Sequence, residues 1–433
     1  MREFLLTLII VGTLINNSLS KSNDYERLLE WGKNHSVFIS DKLAMNYTSE
    51  NIKNFYAKEE ISKNETLIII PKELILNIET ALNLLGKKSS KLYEKYKNEN
   101  FEFTNQFIQY RIQQSFLAYL MYAANKHKSG KNKFYSFFKY FFNTLETNLD
   151  NFPIFYNSEQ FNLLTSSLLG NEIFQTRALF EEEYSILNQK VLSKGLDYDE
   201  YMRFRTYTLS KGHNITGICT IIPFVDILDV HPTKYNLKLK FDLDDYGAKV
   251  VATKKIKTNR RLMVKIDSMQ NSNMLIFYGK TFKELDNTVN NFMVPYISSA
   301  YLTERNMDQS WAKNDKIDLA HEKFYEEAMP TYIEFSKKIK EDGSPLSALR
   351  IFMGNLKALR KKYDDVTTSQ LHKTFFTLKD VENVKRILDT EMRFYDEKMK
   401  VIDVLIDYTI NNNTKKNDEE DKKEPESEPD LDL

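Results

Sequence analysis

The sequence predicts an α+β protein in which small β-sheets enclose a helical insertion and an all-α domain follows. Two stretches, 43–76 and 215–266, have the β-branched runs and alternating apolar positions typical of strands. Between them, and again over 316–411, apolar residues recur at the three- and four-residue spacing of helices. This order predicts a mixed domain over 21–300, with its helical insertion at about 78–201, and a separate helical domain over 316–411.

The elements before the insertion have clear local signals. A short amphipathic helix is predicted over 24–35, where Leu28, Leu29 and Trp31 share one face. The later run "TLIIIPKELIL" is β-branched, and Pro71 interrupts it. A small sheet is therefore expected to begin ahead of the insertion.

The insertion and the second strand region follow. Helical spacing places Ile112, Phe116 and Leu120 on one face, and this aromatic-rich pattern indicates packing rather than a cofactor site. Beyond the insertion, "LKLKFDL" alternates and "AKVVATKKI" is β-branched, with the turn-like "DDYGA" between them. Two further strands are expected here.

The C-terminal part contains two predicted helices. Pro345 stands where the first turn of a helix accepts proline. A second, long helix is predicted from Leu378 to Tyr408, because apolar residues repeat along one face: Val381, Val384, Leu388, Met392, Tyr395, Met399, Ile402 and Ile406. The final segment, 413–433, is rich in acids and prolines and almost free of apolar residues, so it is predicted to be disordered.

The N-terminus has the pattern of a secretory signal peptide over residues 1–20. Arg2 precedes a largely apolar run of twelve residues from Phe4 to Ile15, and Ser18 and Ser20 offer small residues at a cleavage site. An uncleaved anchor is the alternative, but the run is shorter than the roughly 20 residues that span a bilayer. We expect entry into the secretory pathway, with the endoplasmic reticulum lumen or the exterior as destination and no membrane span after cleavage.

Composition limits the classes of function. Sixty-one basic residues balance 61 acidic ones, so net charge gives no reason to expect a nucleic-acid partner. The single cysteine, Cys219, excludes an intramolecular disulfide, and its apolar surroundings predict a buried strand residue. Asn-x-Ser/Thr triplets are weak glycosylation signals in a chain this rich in asparagine; they begin at Asn34, Asn46, Asn64, Asn214 and Asn412.

Several segments in a fixed order carry a family resemblance. They are "AKEEISKNETLIIIPKELIL", "YMRFRTYTL", "IIPFVDILDVHP", "NSNMLIFYGK" and, near the C-terminus, "PLSALRIF". With these segments, from about Leu28 to Asp407, the chain resembles SET-domain proteins of the subgroup that includes the Rubisco large-subunit methyltransferase and its histidine- and lysine-modifying relatives.

The resemblance implies a SET domain followed by a helical substrate-binding domain. It also implies S-adenosyl-L-methionine (AdoMet) as cofactor, methyl transfer to a lysine or histidine, and a protein or peptide in the acceptor groove or on the helical domain. Carried over residue by residue, it assigns cofactor contacts to Arg205, Asp226, Asp229 and His231. It assigns Tyr278 to the second tyrosine of the family pattern, as a candidate catalytic residue.

The chain departs from this pattern at the cofactor loop. In the family a Gly-x-Gly pair lets the backbone approach AdoMet, where a Cβ atom would obstruct it. Counting back from Ala57, these places hold Ile52 and Asn54, and no glycine lies between Gly32 and Gly86. No shift of alignment restores the pair.

Two further departures concern the chemistry. Asp229 takes the place of the family's asparagine, keeping acceptors and losing the donor. Val230 takes the place of the histidine, with His231 one residue later. The tyrosine that orients the target amine falls on Ile266, or on Lys265 with a shift of one residue, and neither has a hydroxyl.

Two hypotheses follow. The first is a SET-fold pseudoenzyme that holds a protein or peptide in the secretory pathway, where a cytosolic cofactor would have to be imported. The second is an active AdoMet-dependent protein methyltransferase with a rebuilt site that uses Arg205, Asp226, Asp229 and Tyr278. The six histidines are scattered, none at metal-ligand spacing, and neither a Gly-x-Ser-x-Gly elbow nor a phosphate-binding glycine loop is present.

Overall fold

The chain divides into two compact units, described separately below. The first comprises Met1–Tyr156, Ile173–Ser268 and Ile276–Gly279, and the second comprises Asn157–Glu172, Met269–Leu275 and Lys280–Leu433. The computed structural model describes residues 26–47, 53–85, 87–100, 106–126, 137, 152–165, 167–192, 195–242, 247–266, 270–286, 344–364, 366–375 and 377–420. The predicted signal peptide, Ile52 and the turn over 243–246 lie outside the described residues.

Most of the helices lie in the regions where apolar spacing predicts them, but the helix at Asn271–Tyr278 lies outside those regions. The helices are α1 (26–34), α2 (Ile78–Leu85), α3 (Lys87–Asn100), α4 (Gln106–Lys126), α5 (Ser158–Leu164), α6 (Leu168–Ser185), α7 (Tyr198–Lys211), α8 (Asn271–Tyr278), α9 (Pro345–Lys361), α10 (Thr368–Thr374) and α11 (Leu378–Glu420). A π-helical turn, Ile186–Val191, follows α6. The helical insertion thus extends to Lys211, ten residues beyond the predicted limit of 201.

The strands form one mixed sheet and two hairpins in the first unit. They are β1 (Phe38–Ile39), β2 (Leu43–Tyr47), β3 (Lys53–Ala57), β4 (Thr66–Ile70), β5 (His213–Ile215), β6 (Ile218–Thr220), β7 (Asp229–His231), β8 (Leu237–Asp242), β9 (Gly247–Ala252) and β10 (Met263–Lys265). The six-stranded sheet has the order β1-β4-β9-β8-β10-β7, while β2 pairs with β3 and β5 with β6. This arrangement confirms the predicted α+β class.

The segment "PFVDILDVHP" crosses the core of the first unit. Phe224 has a positive φ of 68° and is fully buried, with its ring 6.1 Å from that of Trp31 on α1. Gly32 makes this approach possible, because a Cβ atom there would lie 2.7 Å from the Phe224 ring. The apolar residues of this segment therefore anchor α1 to the loop before β7.

The second unit packs helices around an apolar core. Ser344 caps α9 and Pro345 occupies its first position, as predicted. Helices α9 and α11 pack against each other, and the residues that the sequence places on their apolar faces, among them Leu349, Leu356 and Val384, are fully buried. Helical amphipathicity alone therefore located this packing surface.

One boundary differs from the prediction. Helix α11 continues to Glu420, although the segment from residue 413 onward was expected to be disordered and the helix was expected to end at Tyr408. Lysine and glutamate have high intrinsic helix propensity, so a charged segment extends a helix that packing has already nucleated. The predicted disorder of 421–433 lies outside the described residues.

Candidate functional site

The candidate site lies where β7 and β10 run side by side. The two strands are parallel, with Met263 opposite Asp229, Val264 opposite Val230 and Lys265 opposite His231. Two segments that are distant in the sequence are thereby brought together: the end of "PFVDILDVHP" and the strand that leads into the family's tyrosine position. The sequence resemblance predicted both segments, and the register shows that they are neighbours.

Asp229 is already engaged by protein groups. Its Oδ2 accepts from Nη1 of Arg261 at 3.1 Å, and its Oδ1 accepts from the backbone N–H of Val230 at 2.9 Å. Arg261 was not among the predicted site residues. It follows a turn in which Asn259 has a positive φ of 60°, and its guanidinium reaches Asp229 on β7. Asp229 therefore serves as an intramolecular ion-pair partner.

His231 shapes the turn that follows β7. Its Nδ1 accepts from the backbone N–H of Lys234 at 2.9 Å and of Thr233 at 3.2 Å. An imidazole nitrogen that accepts two N–H groups is held as an acceptor at that atom. These hydrogen bonds indicate a structural role for His231, which lies beside Pro232.

The two residues that the resemblance assigns to the family's tyrosine position lie at the end of β10. Lys265 is exposed and its ammonium lies 5.8 Å from the centre of the Tyr235 ring, while Ile266 follows it outside the strand. Ile266 has no hydroxyl group, and the lysine at the alternative register carries a charge that would repel a protonated target amine.

Asn54 occupies the place of the second family glycine in the middle of β3. It pairs with Asn46 across the hairpin, is 6% exposed, and its Nδ2 has no hydrogen-bond partner among the described residues. A buried amide in a regular ladder replaces the bare backbone that a close-lying cofactor requires.

Asp226 lies on the loop before β7; the residue is half-buried, and its Oδ1 atom is buried without a hydrogen-bond partner among the described residues. Burial raises the pKa of its carboxyl to about 7, against the opposing influence of Lys211. The ammonium of Lys211 donates to the backbone oxygen of Asp226 at 2.6 Å. The Asp226 carboxyl is therefore part of the loop that precedes β7.

Arg205 sits inside the helical insertion and is 1% exposed. Its Nε and Nη2 donate to Glu183 at 2.7 Å and 3.3 Å, and its guanidinium carbon lies 4.2 Å from the centre of the Phe180 ring. Arg111 reaches the same carboxylate at 3.3 Å. Burial lowers the pKa of Arg205, but the charge and hydrogen bonds of Glu183 outweigh it and leave a net upward shift.

Tyr278 ends α8 and interacts electrostatically with Tyr110, which the sequence did not indicate as a site residue. The pKa of Tyr110 is raised, first by burial and then by neighbours that include Cys219 and Tyr278. Burial likewise raises the pKa of the Cys219 thiol, to about 12, so the thiol remains protonated at neutral pH. As expected, Cys219 is a buried strand residue, on β6.

A cavity of about 290 Å³ opens in the second unit, and none of the predicted site residues lines it. Among its charged groups, Arg386 pairs with Asp286 at 2.7 Å. The lining residues are Asp286, Glu382, Lys385, Arg386, Asp389, Thr390 and Arg393.

Two searches of the described residues were negative. These residues contain no group of three or more histidine, cysteine, aspartate or glutamate side chains that could hold a metal ion. Among the same residues, every helix is too short or too polar to cross a membrane.

Comparison with solved structures identifies the fold. The chain is similar to the SET domain of LSMT bound to lysine and AdoHcy, with a TM-score of 0.57, 12% identity, and coverage of 88% of this chain and 91% of that one. It is similar to the same domain bound to methyllysine and AdoHcy, with a TM-score of 0.56, 12% identity, and coverage of 88% and 92%. Rubisco LSMT bound to sinefungin and monomethyllysine gives a TM-score of 0.53, 11% identity, and coverage of 88% and 91%. No protein-family model and no curated protein sequence matches the chain.

The described residues do not fit AdoMet as the family pattern requires. Asn54 fills the glycine place with a buried side chain, Asp229 is paired with Arg261, and His231 accepts from its own turn. Ile266 has no hydroxyl for a target amine. At two of these four places, Asp229 and His231, the side chain is engaged by the protein's own groups.

Proposed function

We propose that this chain, which has the SET-domain fold, is a pseudoenzyme that binds a protein or peptide in the secretory pathway. One observation carries the proposal. Asp229, at the place that the resemblance assigns to the family's asparagine, is paired with Arg261, and the places assigned to the histidine and the tyrosine hold Val230 and Ile266.

Further observations support it. A side chain in the interior of β3 stands where the cofactor would need bare backbone, and this residue, Asn54, is buried. The signal-like pattern of residues 1–20 supports the compartment, and the solved structures with the same fold are bound to lysine ligands, which supports a peptide ligand here.

Isothermal titration calorimetry of the purified full chain with AdoMet tests the proposal. We expect no heat of binding at any cofactor concentration up to the millimolar range, because the backbone approach and the polar contacts are missing. Titration of a SET-domain methyltransferase under identical conditions is the control. Micromolar binding together with methyl transfer to any lysine or histidine substrate would refute the proposal.

A second candidate function, an AdoMet-dependent methyltransferase with a rebuilt site, is favoured by one observation. Tyr110 interacts electrostatically with Tyr278, at the family's second tyrosine position, and with the buried Arg205. In this alternative, Asp229 would accept from the ammonium group of the cofactor.

For that alternative, Asp229→Ala is expected to abolish AdoMet binding, because the substitution removes the only changed group that still offers acceptors. The measurement is the same titration, with the exposed Asp199→Ala as the matched control. If both variants bind AdoMet with equal affinity, Asp229 has no role in a cofactor site.

A further inference from the structure

The outer face of the six-stranded sheet carries a row of lysines. Lys238 and Lys240 are exposed on β8, Lys265 is exposed on β10, and Lys249 is half-buried on β9. We call these four residues, together with Phe38 and Ile69, the lysine face.

The strand register places these side chains on one side of the sheet. Lys240 is opposite Lys249. Val264 is opposite Leu237 and both are buried, so the next residues, Lys265 and Lys238, point the other way. Residues two apart on a strand lie about 6.8 Å apart and adjacent strands about 4.8 Å apart, so the four ammonium groups converge on a single patch.

The patch is strongly cationic. Neither Lys238 nor Lys240 has an ion-pair partner among the described residues, and β8 contributes one acid to this face, Asp242. Residues 246–266 contain seven lysines and arginines and no acid, although the whole chain is neutral. Of these seven residues, Lys249 and Lys265 belong to the lysine face, while Lys255 and Arg261 pair with Glu60 and Asp229.

The other end of the face is apolar. Phe38 on β1 is opposite Ile69 on β4, and Ile69 is opposite Lys249 on β9, so one row runs from phenylalanine through isoleucine to two lysines. Phe38 is 48% exposed and Ile69 is half-buried. An exposed aromatic beside an aliphatic side chain offers a contact for an apolar group.

We propose that the lysine face binds an acidic segment of a partner protein that carries an apolar side chain at one end of its acidic run. Charge complementarity supplies the acidic requirement, and the Phe38–Ile69 end supplies the anchor. A peptide is favoured over a nucleic acid because the lysines are point charges without the planar fork of arginine, and the whole chain has no net positive charge. This inference does not depend on the loss of cofactor binding and holds for either candidate function.

The probe is a fluorescent synthetic decapeptide with leucine at its N-terminus and glutamate at every second position, titrated into the full chain. We expect saturable binding that weakens about tenfold in K238E/K240E and about tenfold between low and high salt, since exposed charges are screened. K357E/K361E, which reverses two exposed lysines on α9, is the matched control and is expected to bind like the wild type. Circular dichroism confirms that each variant is folded.

Two further experiments test whether binding depends on the acidic residues of the peptide and on its apolar side chain. Replacing every glutamate of the peptide by glutamine is expected to abolish binding. Phe38→Ser is expected to weaken binding of the leucine peptide but not of a version with serine in place of leucine, which is the coupling that a direct contact produces.

The proposal fails on any of three results. The first is that K238E/K240E binds the peptide as tightly as the wild type does. The second is that a single-stranded oligonucleotide or a heparin fragment of equal charge displaces the peptide at a lower concentration than the peptide itself requires. The third is that the lysine face mediates a dimer that the K238E/K240E substitutions dissociate.

Discussion

Glu183→Ala is expected to lower the free energy of unfolding by about 3–5 kcal/mol, the largest effect of any single substitution considered for this protein. Glu183 is 2% exposed and its partner Arg205 is 1% exposed. Removing the carboxylate leaves a guanidinium buried without a counter-charge, and Arg111 loses the same partner. The lost packing is small, so the unpaired charge dominates the cost.

Urea unfolding followed by circular dichroism measures this change. Glu60→Ala is the matched control, because Glu60 pairs with Lys255 at 2.7 Å on an exposed surface, where such pairs contribute about 0–1 kcal/mol. Equal midpoints for the two variants would show that the buried pair adds nothing to stability. A Glu183→Ala/Arg205→Met double variant is expected to recover part of the loss, since it removes both charges and retains volume.

Glu391→Gln is expected to flatten the dependence of stability on pH. Burial raises the pKa of the Glu391 carboxyl from 4.5 to about 7, although Tyr363 and the backbone N–H groups of Leu168 and Leu169 donate to it. Between these two values the folded state binds the proton more tightly than the unfolded state. The stability from this group is therefore full below about pH 4.5 and is lost as pH rises through 7, a change of about 3 kcal/mol.

The measurement is the difference between wild type and variant in free energy of unfolding from pH 5 to pH 8. Subtraction is needed because Asp226, whose pKa burial also raises to about 7, contributes a slope of the same sign. Glu382→Gln, at an exposed position on the same helix, is expected to leave the slope unchanged. A Glu391→Gln slope equal to that of the wild type would show that the carboxyl titrates normally in the folded protein.

Features that depend on local sequence could be predicted, whereas the ion pair at the candidate site could not. The local sequence predicted that Cys219 is buried and that Pro345 begins a helix, because each depends on local backbone preference or local apolar pattern. The pairing of Asp229 with Arg261 was not predictable in this way. It joins residues 32 positions apart, and only the parallel alignment of β7 and β10 makes them neighbours.

The amino-acid sequence by itself determined the α+β class and the regions of the strands and helices, since these follow from residue type and periodicity. The replacement of glycine, histidine and tyrosine at the family positions is what the family resemblance implies. Tertiary structure decided what the replacing residues do. It placed Asp229 beside Arg261, buried Asn54 in a hairpin, and gathered four lysines on one face of a sheet. The physical reason is that hydrogen bonds and charge pairs act over a few ångströms, so their partners are set by strand register rather than by distance along the chain.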